Sequence, residues 1–217
     1  MAPMPAQLTP TERTKVRRLP DRGTYDRDVI DAVIDEAYIA HVGFVVDGSP
    51  RVLPMTYGRD GDHLYLHGAV GNAMLRALTE RELCVTITLL DGLVLARSAF
   101  HHSMNYRSVV LLGQARKVED EAAKRHAFDV IVEHVLRGRS TVARPTNDAE
   151  LRKTLVLDLE IAEGSAKVRT GGPVDDEADM DLPVWAGVVP LRLTPGEPIQ
   201  DPAQTIAGLP VPVPDRP

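Results

Sequence analysis

The stretch DHLYLHGAVGN, Asp62 to Asn72, constrains the fold more than any other. Strand side chains alternate with period two, so His63, Tyr65 and His67 share one face while Leu64 and Leu66 share the other. Gly68, Ala69 and Gly71 then break the strand and leave room for a ligand against the backbone. Asn72 is placed to cap a helix suggested by Met74, Leu75 and Leu78. A strand feeding a small-residue turn and a helix start is a receptive geometry for anions. A second stretch, HHSMNYRSVV from His101 to Val110, delivers polar side chains to the mouth of the apolar run Val109 to Leu112. Together the two stretches predict one ligand site.

Around them the chain reads as follows. Met1 to Leu8 is expected to be a disordered lead to a flexible basic arm over residues 1–22. Apolar Val29, Ile30, Val33, Ile34 and Ala37 recur at helical spacing, with Asp26 and Asp28 favourable in a first turn, so Asp26 to Tyr38 is predicted helical. Ile39 to Val46 and Arg51 to Tyr57 flank the turn Asp47-Gly48-Ser49-Pro50, and with His63 onward they predict a three-strand meander. Glu82 to Leu90 and Leu93 to Phe100, parted by Asp91-Gly92, predict a hairpin. Arg107 to Val118 is a further strand. Asp120 to Leu136 is a second helix, with Ala123, Ala127, Val130, Ile131, His134 and Val135 on one side and His126 and His134 in packing or edge roles. Residues 137–148 read as a loop, and Leu155 to Ile161 and Ser165 to Thr170 as strands. Half a dozen short strands with few helices predict a mainly β fold, a small antiparallel barrel with helices over its openings.

The expected organisation is an arm over 1–22, one domain over 23–172, an acidic linker with a Trp-bearing segment over 173–191, and a Pro-rich tail over 192–217. The chain has 217 residues, enough for one sizeable core. Its net charge of -6 argues against general nucleic-acid binding, which rests on Lys and Arg neutralising phosphates. Arg13, Lys15, Arg17, Arg18 and Arg22 cluster early, and a solvated or partner-wrapping arm is the preferred reading of them. The single Cys84 builds no disulfide framework and is expected to be a buried thiol. No stretch approaches the roughly 18 apolar residues of a membrane span, and Pro3, Pro5 and Gln7 interrupt any secretory h-region, so a soluble cytoplasmic protein is expected.

Seven histidines invite a metal. His63 and His67, four strand positions apart, have Cα atoms roughly 13 Å apart and cannot share one ion. No HExxH or CxxC is present, nor a G-x-S-x-G elbow, a G-x-G-x-x-G fingerprint or a Walker loop. What remains is a set of cationic and amide donors, Arg51, His67, Gly71-Asn72 and Arg107-Ser108, which suits a phosphate-bearing ligand. Strand-end surface charges would give Arg51 and Arg107 the same pattern, and the two readings stand level.

The succession RVLPMTY (51–57), HLYLHGAVGNAML (63–75), HHSMNYRSVVLLGQARKV (101–118) and LPVWAGVVPL (182–191) resembles the pyridoxamine 5'-phosphate oxidase-like flavoproteins. More narrowly, it is similar to the branch that includes the nitroimidazole-resistance reductases. The resemblance implies a split β-barrel homodimer with FMN in a cleft between subunits. It implies that Arg51 holds the FMN phosphate, whereas Asn72 and Ala73 stand where the oxidases have an Arg-Lys pair. His67 ends its strand as in the branch, Ser108 faces the ring system, and Trp185 lies in a dimer-crossing segment and stacks near the site from the partner chain. Pro54, Thr56, Gly68, Ala69, Asn72, Tyr106 and Arg107 complete the implied cofactor-binding set. The implied function is an FMN-binding oxidoreductase that takes hydride from a nicotinamide donor and reduces a small electrophilic or aromatic acceptor. His67 is the candidate proton donor. A non-catalytic flavin or haem carrier, or a deazaflavin-dependent reductase, would use the same barrel.

Overall fold

The computed structural model describes residues 6–214. Residues 1–5, which carry most of the expected lead, and 215–217 of the tail lie outside them, as does the side chain of Met74. Eleven strands and five α-helices follow in order: β1 (Gly23–Thr24), α1 (Arg27–Glu36), β2 (Ala40–Val46), β3 (Ser49–Met55), β4 (Tyr57–Asp60), β5 (His63–Ala69), α2 (Ala73–Leu78), β6 (Glu82–Leu95), β7 (Ser103–Gln114), β8 (Arg116–Lys117), α3 (Glu121–Val135), α4 (Arg139–Val142), α5 (Asp148–Lys153), β9 (Thr154–Glu160), β10 (Glu163–Arg169) and β11 (Gly187–Pro190).

Two antiparallel sheets result. The large one runs β1-β10-β7-β6-β2-β3 with β11 added to β6, and the small one runs β4-β5-β9-β8. The fold is mainly β, as expected, and is a split barrel: the inward faces of both sheets share one core, built from Val42, Val85, Ile87, Val109 and Leu111 on one side and Leu64, Leu66, Leu157 and Leu159 on the other. Burying apolar faces of this kind is the main term that holds such a fold together.

The helices start where the sequence placed them. The Asp26 carboxylate accepts hydrogen bonds from the backbone N–H of Asp28 (2.9 Å) and Val29 (3.3 Å), so α1 is capped by a residue expected inside its first turn. Asp120 caps α3 in the same way, through Ala123 N–H at 2.7 Å. Arg27, 3 % exposed, joins α1 to the small sheet by pairing with Asp31 at 3.1 Å and Asp62 at 2.5 Å. His134 packs as expected, its Nε2–H donating to the Ala37 carbonyl at 2.8 Å beside the Tyr57 ring.

Several expectations are corrected. The meander is divided: β3 pairs with β2 in the large sheet and β4 with β5 in the small one, the chain crossing over at Thr56. The hairpin at Asp91-Gly92 is absent, and β6 runs through it with a bulge between Leu90 and Gly92. Long-range pairing with β7 on one side and β11 on the other outweighs the local turn preference of Asp-Gly. β7 starts at Ser103, four residues before the expected strand, and residues 137–148 contain α4.

Leu8, expected in a disordered lead, is 5 % exposed and its N–H donates to Tyr25 O at 2.8 Å. The basic arm wraps its own barrel: Arg13 forms ion pairs with Glu82 and Glu163. Cys84 is half-buried on the outer face and not in the core, because the alternation of β6 turns Leu83, Val85 and Ile87 inward. Among the described residues no helix is long and apolar enough to cross a membrane.

Candidate functional site

The crossover at Thr56 positions the predicted residues. Tyr57 pairs with Leu66 across β4 and β5, so extending the ladder by one residue brings Thr56 opposite His67. Pro54 pairs with His41 on the other side of the same crossover. Pro54, Thr56, His67, Gly68 and Ala69 therefore gather where the two sheets part. Asn72 follows β5 at the start of α2, and Arg51, Tyr106, Arg107, Ser108 and Trp185 are distributed around the large sheet.

His67 is half-buried beneath α3, with its ring centroid 5.9 Å from that of Phe128. Its Nδ1 is buried with no hydrogen-bond partner. Burial pushes its pKa below the ordinary histidine value, so the ring is neutral near pH 7. This is poor electrostatics for the expected proton donor and good electrostatics for a neutral acceptor or ligand nitrogen. Gly68 is a packing glycine, since a Cβ there would stand 2.8 Å from Leu75 Cδ2. Asn72 caps α2, its Oδ1 accepting from Leu75 N–H at 3.2 Å. Ala69 pairs with Thr154 at the end of the ladder.

The two arginines that looked alike in sequence have opposite surroundings. Arg107 is locked between Glu36, with Nη2 to Oε1 at 2.7 Å, and Asp91, with Nη2 to Oδ1 at 2.8 Å. Both partners hold its pKa above the ordinary arginine value, and its charge is already neutralised. Arg51 is exposed and among the described residues meets only neutral oxygens, Ser49 Oγ at 2.9 Å and the Pro50 carbonyl at 3.4 Å. It lines a groove of about 570 Å³ with Arg13, Arg81 and Cys84. Arg81 likewise meets a neutral oxygen, the Val45 carbonyl at 3.2 Å. Among the described residues Arg51 and Arg81 have no carboxylate partner, and Glu82 in the same groove is taken by Arg13, so this end of the sheet is a receptor for anions.

Ser108 points outward on β7 and donates to Lys167 O at 3.3 Å. Tyr106 pairs with Leu90 and Arg169 in the middle of the sheet. Trp185 is 65 % exposed before β11 and folds over Gly187, where a Cβ would meet the indole at 2.9 Å.

Sequence reasoning missed a second cavity, a crevice of about 860 Å³ at the opposite end of β2, beside the middle of β6. Its walls include Ile39, His41, Leu89 and Leu90, and the segment 190–194 closes one side. The alternation Ala40-His41-Val42 signalled an outward histidine on a buried strand. Nothing local signalled that the tail would return to it.

The profile of the pyridoxamine 5'-phosphate oxidase family matches residues 26–168. No curated protein matches. Among solved structures, the flavocytochrome Anf3 from Azotobacter vinelandii is 40% identical, with 93% of this chain and 94% of that one covered and a TM-score of 0.86. The FAD and heme binding protein from Mycobacterium smegmatis is 38% identical, with coverage of 88% and 94% and a TM-score of 0.83. A candidate 5-nitroimidazole antibiotic resistance protein from Bacteroides thetaiotaomicron is 27% identical, over 67% of this chain and 86% of that one, with a TM-score of 0.57. The branch resemblance read from the motifs is thus present, and the likeness to the first two is stronger and extends through the C-terminal segment that the family profile leaves out. The chain belongs to the pyridoxamine 5'-phosphate oxidase family.

Proposed function

We propose that the chain is a flavin-binding redox protein that also carries haem, taking electrons from a nicotinamide donor and passing them to a small electrophilic or aromatic acceptor. The observation that carries this reading is the near-full-length likeness to two proteins described as a flavocytochrome and as an FAD and heme binding protein. FMN, the flavin expected from the motifs, carries a terminal phosphate and FAD an internal pyrophosphate, and the arginine groove fits either anion.

The flavin, when bound, supplies hydride acceptance and one-electron release. The chain's own residues bind and orient it. Arg51 and Arg81 meet the phosphate end as charge-assisted donors. Pro54, Thr56, Gly68 and Ala69 present a surface of small side chains and backbone at the parting of the sheets. His67, neutral and with an unsatisfied Nδ1, offers a hydrogen-bond acceptor or ligand nitrogen there. A homodimer is part of the proposal, because the outer face of the large sheet leaves Val45 54 %, Val52 63 % and Leu90 45 % exposed.

The absorption spectrum of the purified protein, with extraction of its cofactors, tests the reading. Flavin bands together with a Soret band are the expected result. A deazaflavin spectrum, or a chain that takes up neither flavin nor haem when offered both, would overturn it. Light scattering at micromolar concentration tests the dimer, and a monomer that retains stoichiometric flavin would sink that part.

A further inference from the structure

We propose that His41 ligates the haem iron, in the crevice between the start of β2, the middle of β6 and the segment 190–194. The inference rests on the haem part of the proposed function and assigns a residue to it. The crevice has about 860 Å³, within the roughly 300–1,000 Å³ of ligand pockets. Its walls are largely apolar, with Ile39, Leu89, Leu90, Leu191 and Leu193, as a macrocycle's faces require. His41 stands on one wall, exposed, with no hydrogen bond or ion pair among the described residues. A neutral imidazole nitrogen is the commonest protein ligand to haem iron.

Charge at the rim fits as well. Haem brings two carboxylates, and Arg192 lines the crevice with no ion-pair partner among the described residues. Arg107, also on the wall, is already neutralised by Glu36 and Asp91 and leaves no stray positive charge inside.

The other grooves that contain histidines are walled with charge. His126 shares its groove with Asp60, Asp129 and Glu133, and His63 shares its own with Arg116, Asp158 and Glu160. Such walls favour water over an apolar macrocycle. Of the others, His101 pairs with Asp176 at 3.2 Å, His102 and His134 bond the carbonyls of Ser98 and Ala37, and the ring of His67 packs against Phe128 with its Nδ1 enclosed. The crevice leaves the arginine groove free, while Pro54, opposite His41 in the β2–β3 ladder, borders both cofactors. His41 and Val45, which line the crevice and the arginine groove respectively, are four residues apart on β2, roughly 13 Å.

The test uses the full chain, reconstituted with haemin and with flavin, and reads haem stoichiometry by the pyridine haemochrome, the Soret and EPR spectra, and flavin content on the same samples. His41→Ala is expected to lower haem content at least tenfold with flavin content unchanged, and added imidazole is expected to restore the wild-type Soret band. His41→Met is expected to keep haem and raise its reduction potential, the known direction of His-to-Met exchange at an axial position. An unshifted Soret band and unchanged EPR spectrum in both His41 variants would overturn the assignment, as would loss of the ligand signature in His67→Ala alone. A wild-type chain that binds flavin but no haemin would instead overturn the haem part of the proposed function, and with it the assignment to His41.

Discussion

The outer faces of the two sheets begin from the same sequence pattern and end in opposite states. On the small sheet, β5 turns His63, Tyr65 and His67 outward, and α3 covers part of this face, setting Phe128 against His67 and His126 against Tyr65. On the large sheet, β2 and β3 turn His41, Val45 and Val52 outward; Val45 and Val52 stay 54 % and 63 % exposed, and the returning segment 190–194 walls only one side of the crevice at His41. Covering a face takes donors and charges out of use: His67 becomes a neutral packed ring, and Tyr65 is pushed above the ordinary tyrosine value, chiefly by burial. Leaving a face open keeps His41 available to ligands, while Arg51, registered opposite the buried Phe44, and Arg81 stay available in the groove beside the edge strand β3. In this molecule, then, a polar residue's function follows from whether a third element returns to it.

The largest expected effect breaks the covered face. A Cβ at Gly58 would lie 2.8 Å from Ile131 N and Cα, backbone that cannot move without displacing α3. Gly58→Ala is expected to cost about 3 kcal/mol, the upper part of the overpacking range, and to lower Tm by roughly 6–12 °C. A Tm within two degrees of wild type would mean that α3 is loosely held and the contrast between faces is small.

The open edge of the large sheet is sharpened by Arg51→Ala. Losing a charge-assisted contact to phosphate is expected to weaken FMN or FAD roughly a hundredfold, about 2.7 kcal/mol, with riboflavin affinity and Tm little changed. Equal losses for phosphorylated flavin and riboflavin would return Arg51 to a structural role.

Arg107→Ala should show the reverse signature. It removes the shared partner of Glu36 and Asp91 in a half-buried setting and is expected to cost about 2 kcal/mol of stability, seen as a fall in Tm of roughly 4–8 °C. Flavin affinity should stay within about threefold, since the charge is already neutralised. A hundredfold loss of flavin without a change in Tm would restore the phosphate role read from the sequence.

The smallest effect is a pH dependence from His67. Its folded pKa lies below its unfolded value near 6.5, so the unfolded state binds the proton more readily. Stability from the neutral ring is therefore complete above about pH 6.5 and declines as pH falls from there through the folded pKa. Urea midpoints for the wild type and His67→Gln should converge at low pH relative to their difference at pH 8. Parallel curves would show that His67 is not desolvated in solution.

Much of this was legible in the sequence because it is local. Apolar spacing marked α1 and α3, the Asp residues before them act as their caps, and period-two alternation marked β5, β9 and β10. The ordered motifs 51–57, 63–75, 101–118 and 182–191 carried the family. The site was legible only in part: the sequence marked Arg51, His67 and Gly68 as candidates, but it could not show that Arg107 is ion-paired, because Glu36 lies 71 residues away and a charge's counter-ion is not a local property. His41 was overlooked for the same reason, since the tail that makes its crevice returns from residues 190–194.

By itself, then, the sequence determined which segments form strands and helices, which face of each is apolar, and the family. Tertiary structure alone decided that the chain crosses sheets at Thr56, that β6 continues through Asp91-Gly92, and which of two similar arginines and two outward histidines remain free. Propensity and periodicity act over one or two turns of chain, whereas neutralisation, burial and enclosure are set by whatever distant segment packs alongside.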